Sequence, residues 1–394
     1  MSRYHSYLNS AKQILQSYDG AEPLATFLKS FFSRNKKFGS KDRKQIGHLC
    51  YCFFRMGNSV MNVPIDEKLL TGMFLCSTES ELILQNLNPD WNEKVNLTFD
   101  EKLNIIDKTF EIENVFPWKE ELSESIDHAK YCKSFLIQPD LFLRLRPGKE
   151  EKVKKQLQES GIEFNSLSKS CLSLPNSSKI DTIIELDKDA TVQDYNSQRT
   201  GEFLQLTVDR GPLTLWDCCA GSGGKSIMAY DINPNIELTV SDNRESILVN
   251  LKKRFQRAGI KSYSSFVSDL THDSRPAYRT GRHRTHDFDF IIADVPCTGS
   301  GTWNRTPEQL YFFEKEKIDR YASIQKKIIA NVIPQLKPGG YLLYITCSVF
   351  KKENEEVIDY CKEKLKLRKL KMEVLNGYDK KSDTLFAALL TKEL

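Results

Sequence analysis

Residues 213–242, LTLWDCCAGSGGKSIMAYDINPNIELTVSD, constrain the fold more than any other stretch of the chain. The apolar run 213–216 reads as a buried strand ending in an acid, Asp217. A turn with Gly221, Gly223 and Gly224 follows, then a helix start over 225–230. A second strand over 237–241 ends in another acid, Asp242. Strand, glycine turn, helix, strand and acid, in that order, open a parallel nucleotide-binding sheet. Glycine lets the backbone approach a ligand, and the second acid can accept ribose hydroxyls. On the glycines alone, a plain tight turn between strand and helix remains the alternative.

The ligand is narrowed by what the turn lacks. A phosphate loop needs a glycine where Cys219 stands, and a dinucleotide fingerprint needs one near Ser226. An acid directly at the end of the first strand suits a cationic amine better than a pyrophosphate. S-adenosylmethionine combines such an amine with a ribose diol, so the turn points to a methyltransferase.

At 394 residues the chain predicts two or three domains. A net charge of +4 does not by itself demand nucleic acid, but the basic residues are clustered. No apolar run is long enough to span a membrane, and MSRYHSYLNS lacks the apolar stretch of a signal peptide. The ten cysteines show neither a CxxC pair nor the density of a disulfide scaffold. These features predict a cytoplasmic protein with reduced thiols.

Periodicity predicts a multidomain chain: an all-helical domain over 1–130, a small αβ module over 139–200 and a Rossmann-like α/β domain over 201–394. In the first, Leu8, Ala11, Ile14 and Leu15 keep helical spacing, as do Leu24, Phe27, Leu28, Phe31 and Phe32. Helices are also expected over 41–56 and near 66–76, 79–86 and 99–107, with Cys50, Cys52 and Cys76 as core thiols. The basic cluster Arg34, Lys36, Lys37, Lys41, Arg43 and Lys44 suits either solvent or phosphate.

In the module, 142–146 alternates with period two, and Arg144 and Arg146 on one face suit RNA. A charged helix follows over 149–160, then strands near 162–164, 171–174, 182–186 and 190–193. The last domain should hold strands at 213–216, 237–241, 263–267, 288–294, 340–346 and 384–390. Its helices are expected near 224–230, 244–258, 307–335 and 353–366. Arg275, Arg279, Arg282 and Arg284 predict a mobile RNA-contacting loop over 271–286, with Lys252, Lys253 and Arg254 nearby. The histidines of that loop lack cysteine or acid partners at ligand spacing, so no metal is expected there.

Two cysteines follow predicted strands, in Asp294-Val295-Pro296-Cys297-Thr298-Gly299 and in Thr346-Cys347-Ser348. Buried core thiols are one reading. Zinc held by Cys218, Cys219, Cys297 and Cys347 is another, weakened because adjacent cysteines point apart. Two thiols beside a methyl donor suit C5 of a pyrimidine, which is a poor nucleophile until a thiolate adds at C6. The C5 proton must then leave and the thiol be eliminated, which gives a second acid–base group a task. Asp294 can pair with the amino edge of cytosine, and Lys225 can hold the base or its phosphate.

These motifs, with Asp217-Cys218-Cys219-Ala220-Gly221-Ser222-Gly223-Gly224-Lys225, Glu353-Asn354-Glu355 and the stretch 192–198, resemble the NOL1/NOP2/Sun (RsmB-like) family of RNA cytosine-C5 methyltransferases. The resemblance covers about 140 to the end, and KDRKQIGHLCYCFFR is similar to the NusB-like domain of bacterial ribosomal RNA members. It implies Cys347 as the nucleophile and Cys297 as the group assisting product release, with Lys225 and Asp294 beside them. It implies a donor site of Cys219, Ala220, Gly221, Ser222, Gly223, Gly224, Lys225 and Asp294, with Asp242 on the ribose, Asp269 on the adenine side and Asp217 in the wall. S-adenosyl-L-methionine is the implied cofactor and RNA the implied partner, with 16S rRNA ahead of tRNA.

The chain departs from the family pattern at Gly221-Ser222, where Ala-Pro is usual, and at Ser246, where an arginine is usual and Arg244 stands nearby. DNA modification, with the cysteine roles exchanged as in DNA cytosine methyltransferases, and a non-catalytic RNA-binding or ribosome-assembly factor are the competing readings.

Overall fold

A computed structural model describes residues 3–59, 62–106, 110–207, 212–272 and 288–393. The chain divides into two units, one of Met1–Glu120, Asp127–Gln138 and Thr302–Lys315, the other of Glu121–Ile126, Pro139–Gly301 and Glu316–Leu394. The expected boundaries at 130, 139 and 200 therefore meet two units, with the αβ module clustered into the second.

The first unit is helical. The spacing read from the sequence forms Arg3–Ser17, Leu24–Arg34, Ser40–Arg55 and Ile65–Cys76. Ala11, Ile14, Ile46, Leu49, Leu69 and Met73 face inward without solvent exposure. A Cβ at Gly72 would lie 2.8 Å from the Cys52 carbonyl oxygen, so glycine lets those two helices approach backbone to backbone. Cys50 and Cys52 are buried and Cys76 is half-buried, as core thiols should be. Buried Arg55 is neutralised by no carboxylate in its hydrogen bonds; it donates to the Phe135 and Ile137 carbonyls and to Gln138 Oε1. The six basic residues between Arg34 and Lys44 are exposed.

The helix expected over 307–335 breaks into Pro307–Tyr311 and Glu316–Val332. Its first part serves the helical unit: Trp303 and Leu310 are buried, and Phe312 meets Tyr18 edge-on at 5.5 Å. The apolar stripe thus supplies two different cores. A helix at His128–Ser134 was not expected.

In the second unit, strands β1 (Leu141–Leu145), β2 (Asn165–Ser166), β3 (Cys171–Leu174) and β4 (Ala190–Val192) make an antiparallel sheet in the order β2-β3-β1-β4. The strand expected near 182–186 is a turn, because Ile183 and Ile184 both donate to the Ile180 carbonyl. Arg144 and Arg146 do not form an exposed basic face. Both are buried against Asp231, at 2.5 and 2.6 Å, and Arg144 also donates to Gln193. The alternation that suggested RNA contact reflects an internal ion-pair face.

The large sheet holds β5 (Leu213–Asp217), β6 (Ile236–Asp242), β7 (Ser264–Val267), β8 (Phe288–Asp294), β9 (Leu336–Thr346), β10 (Leu367–Leu375) and β11 (Leu385–Lys392). Their order is β10-β11-β9-β8-β5-β6-β7, parallel from β9 to β7, with β11 antiparallel to both its neighbours.

Side chains alternate across a sheet, and here both sides are apolar. Leu215, Phe290, Ile292, Leu343 and Ile345 share one core with helices Tyr195–Gln205, Gly224–Ile232 and Glu245–Ala258. Trp216, Ile291, Ala293, Leu342 and Tyr344 share the other with Glu316–Val332 and Glu355–Leu365. The result is the expected Rossmann-like architecture. Strand order reverses between β5 and β8, which is where such a sheet opens a crevice for ligands.

Residues 121–126 cross in the opposite sense to 302–315. Leu122 bridges to Phe350, and Ser123 donates to the Val349 carbonyl and to Glu355. Among the described residues no helix is long and apolar enough to cross a membrane.

Candidate active site

The glycine turn leaves β5 through two residues in the left-handed region, Gly221 at φ 52° and Gly223 at φ 86°. Gly223 is also packed against its neighbours: a Cβ there would lie 2.7 Å from Phe255 and 3.0 Å from Leu251. Gly221 donates its N–H to Asp242 at 3.0 Å, tying the turn to the end of β6.

Around this turn lies a cleft of about 620 Å3. All four predicted catalytic side chains, Lys225, Asp294, Cys297 and Cys347, line it. So do Cys219, Ala220, Gly221, Ser222, Gly224, Asp242 and Asp269. Gly223 and Asp217 do not. Lys252 and Lys253 are exposed on their helix, whereas Arg254 is engaged by Asp187. Arg275, Arg279, Arg282 and Arg284 lie outside the described residues.

Asp217 is fully buried. One carboxylate oxygen accepts from Ser226 at 2.6 Å, and the other, Oδ1, has no hydrogen-bond partner. Burial pushes its pKa up to about 7, the Ser226 bond opposing and the nearby Asp294 charge adding to the rise. This acid holds the helix that follows the turn and does not line the cleft. Asp242 does line the cleft: its oxygens accept from Gly221 and from Arg244. The Arg244 side chain is 60% exposed, so a competing ligand could displace it at small cost. Asp269 accepts from Thr271 and lies near His272.

An S-adenosyl donor fits these groups. The turn presents backbone where side chains are absent, no atom would meet a Cβ at Gly221 or Gly224 within 4 Å, and Asp242 offers a buried carboxylate for a diol. Asp242, Asp269 and Asp294 together give the cleft the acidic lining that a sulfonium and an ammonium require.

The two sulfurs face each other at 3.2 Å, from the ends of neighbouring parallel strands β8 and β9. Both thiols are free and half-buried. The contact with Cys347, then burial, then the charges of Cys347 and Glu353, hold the Cys297 thiol well above the usual range. Lys225 is buried on the first turn of its helix and donates to Asp294 at 3.0 Å and to Ser197 at 2.9 Å.

Beneath the sulfurs, fully buried Glu353 accepts from the Thr298 backbone and hydroxyl, from Ser348 and from Gln325. It thereby ties the turn after Cys297 to the turn after Cys347. Burial raises its own pKa against those four donors. Gly301 completes the tie by donating to the Cys347 carbonyl at 2.9 Å. Ser197, Gln325 and Glu353 carry no spacing that marks them in the sequence, although Ser197 and Glu353 stand in stretches that resemble the family. Among the described residues no group of three or more His, Cys, Asp or Glu side chains is arranged to hold a metal.

The profile of the 16S rRNA methyltransferase RsmB/F family matches residues 206–387, which span the turn and both cysteines. Over this segment the chain is similar to that family. Its RsmB/F segment contains every catalytic candidate, and the family is one of S-adenosylmethionine-dependent methyltransferases. A curated relative, the probable ribosomal RNA small subunit methyltransferase B of Bacillus subtilis, is 29% identical over 234 residues, 58% of this chain and 50% of the relative. The matched region spans half or less of such RsmB relatives; for that of Proteus mirabilis, 33% identical over 168 residues, it is 37%. The fold is shared with the crystal structure of NSun6 from Pyrococcus horikoshii, solved with SFG, an S-adenosylmethionine analogue. The TM-score is 0.58 at 15% identity, over 67% of this chain and 94% of that one.

Proposed function

We propose that this protein is an S-adenosylmethionine-dependent RNA cytosine-C5 methyltransferase acting on small-subunit ribosomal RNA. The observation that carries the reading is the pair of free thiols 3.2 Å apart at the cleft. The RsmB/F kinship and the names of the curated relatives support RNA as the substrate. On the same footing, the helical unit is read as a NusB-like RNA-binding domain, with its exposed basic cluster against phosphate.

The bound donor supplies an electrophilic methyl group. Cys347 adds as thiolate to C6 of the cytosine, making C5 nucleophilic. Asp294, aimed by Lys225, accepts from the amino edge of the base. Cys297 starts protonated, because its S–H is held against Cys347. Once Cys347 is bonded to carbon, that largest cause disappears and Cys297 becomes more acidic. Having released its own proton to solvent, it is then suited as thiolate to take the C5 proton while the C6–S electron pair returns to the Cys347 sulfur. The base must be unstacked to enter the cleft.

Denaturing gels after incubation with donor and substrate RNA test this division. Cys347→Ala should give neither adduct nor methylation. Cys297→Ala should transfer the methyl group and accumulate a covalent protein–RNA complex. The reverse pattern would exchange the two roles, and full turnover by both variants would reject cysteine catalysis.

A further inference from the structure

Arg254 was read as an RNA contact, yet its guanidinium is committed inside the protein. Nε and Nη2 donate to Asp187 Oδ1 at 2.9 and 2.7 Å. Nη1 donates to the carbonyl oxygen of Ser222 at 3.2 Å and to its hydroxyl at 3.0 Å. Ser222 lies between two left-handed glycines on the turn that lines the cleft. Three glycines within 221–224 leave that turn many conformations to lose on binding a ligand. An outside clamp is the way to restrict it.

The anchor of the clamp is rigid. Asp187 is buried, and it is one of few non-glycine residues in the left-handed region, at φ 66°. Such a conformation persists only where the surroundings enforce it. Here the Asp187 N–H donates to Ala190 at 2.7 Å, and its carbonyl oxygen accepts from Arg146 at 2.9 Å. Burial works to raise its carboxyl, but the bonds from Arg254 and Arg257 outweigh that and hold it below the usual range, so it stays ionised. Arg257 takes the second oxygen, Oδ2, at 2.6 Å; its hydrogen bonds go to Asp187 and none reaches the glycine turn.

We propose that Arg254 is a positioning residue of the donor turn: fixed by Asp187 of the αβ module, it clamps Ser222 and holds residues 221–224 in the form that binds an S-adenosyl group. The inference rests on the donor assignment made above. It gives the αβ module a part in the donor site that is separate from any contact with RNA.

The test is calorimetry of the full-length protein with S-adenosylhomocysteine, in the absence of RNA. Arg254→Met should weaken binding roughly tenfold, as expected for a lost charge-assisted hydrogen bond together with a loosened turn. In turnover it should raise KM for the donor and leave kcat near wild type. Arg257→Met shares the Asp187 pairing but not the turn contact, and should bind as wild type does. Ser222→Ala, a surface change with little risk to folding, should weaken binding by a smaller factor. Combined with Arg254→Met it should add nothing further. Wild-type donor affinity in Arg254→Met, with reduced RNA affinity, would overturn the proposal and restore a phosphate contact. Equal losses in Arg254→Met and Arg257→Met would overturn it in favour of a general structural role. Absence of binding to wild type would instead strike the donor assignment, and this inference with it.

Discussion

Gly301→Ala is the substitution whose consequences can be worked furthest from the geometry. Gly301 donates to the Cys347 carbonyl and accepts from the Thr384 N–H, both at 2.9 Å. A Cβ there would lie 1.8 Å from the Thr384 carbonyl oxygen, and real Cβ contacts stay beyond 3.0 Å. Thr384 leads into β11, which is paired on both sides, so the turn at 300–301 must yield instead. Two backbone hydrogen bonds are then lost or stretched, about 1–3 kcal/mol together. Overpacking adds about 1–3 kcal/mol. A central value of about 4 kcal/mol corresponds to a melting temperature lower by about 8–16 °C for a unit of this size. The larger effect is on chemistry. Shifting the carbonyl beside Cys347 separates the sulfurs, and misplacement by about 1 Å costs about a hundredfold in rate. Single-turnover methylation should therefore fall by that order, while S-adenosylhomocysteine affinity changes by less than about threefold, because the glycine turn is untouched. Calorimetric melting, donor titration and a rapid-quench assay read the three quantities. An alanine variant with wild-type melting and wild-type rate would refute the claim that this approach holds the thiols together.

Arg146→Met leaves Asp231 paired with Arg144 but strands the Asp187 and Ala258 carbonyls, and should cost about 1–3 kcal/mol in urea unfolding with the salt slope of RNA binding unchanged; a reduced slope with intact stability would return Arg146 to the RNA interface. Asp217 has a folded pKa of about 7, above its unfolded value, so it binds its proton more tightly when folded. Its contribution to stability is complete below about pH 4 and is lost as pH rises through about 7. Asp217→Asn, which keeps an acceptor for Ser226, should therefore gain stability relative to wild type between pH 5 and 8, and a difference independent of pH in denaturant melts would contradict the assignment. Glu353→Gln should lower kcat by roughly ten- to a hundredfold with donor affinity unchanged, since it loosens the two cysteine turns and not the donor turn. It also removes one of the charges that raise Cys297, so the pH dependence assigned to that thiol should move to lower pH; an unmoved profile would exclude the electrostatic part of the argument.

Much of the second unit was legible because its strands are buried on both faces and bounded by turn signals. The runs at 213–216, 288–294 and 340–346 formed at or near their predicted limits for that reason. β10 escaped notice because its register shifts between Lys369 and Lys371, so apolar residues lose their period of two. Helix Tyr195–Gln205 was missed because its inward residues are mixed, with Asn196, Thr200 and Gly201 buried beside Phe203 and Leu204. The catalytic candidates were legible as motifs. Their supports were not, since Gln325, Glu353 and Ser197 become neighbours only after the sheet has formed. Arg144, Arg146 and Arg254 show the limit of charge patterning: whether an arginine meets phosphate or a buried aspartate depends on which distant carboxylate the fold delivers.

The exchange of residues 121–126 and 302–315 between the two units bears on how the chain can be made. The helical unit contains Leu24 hydrogen-bonded to Glu308, so it cannot be completed when the ribosome has finished residue 138. It must wait for residue 315, about 180 residues later, which at about 5–20 residues per second is roughly 10–35 s. Until then the apolar surface that receives Trp303 and Leu310 stands open, and a nascent chain stalled in that interval should be a strong client for chaperones. The same crossing means that no single cut yields two intact halves: a fragment beginning at residue 139 would carry Trp303 and Leu310 without the core that covers them.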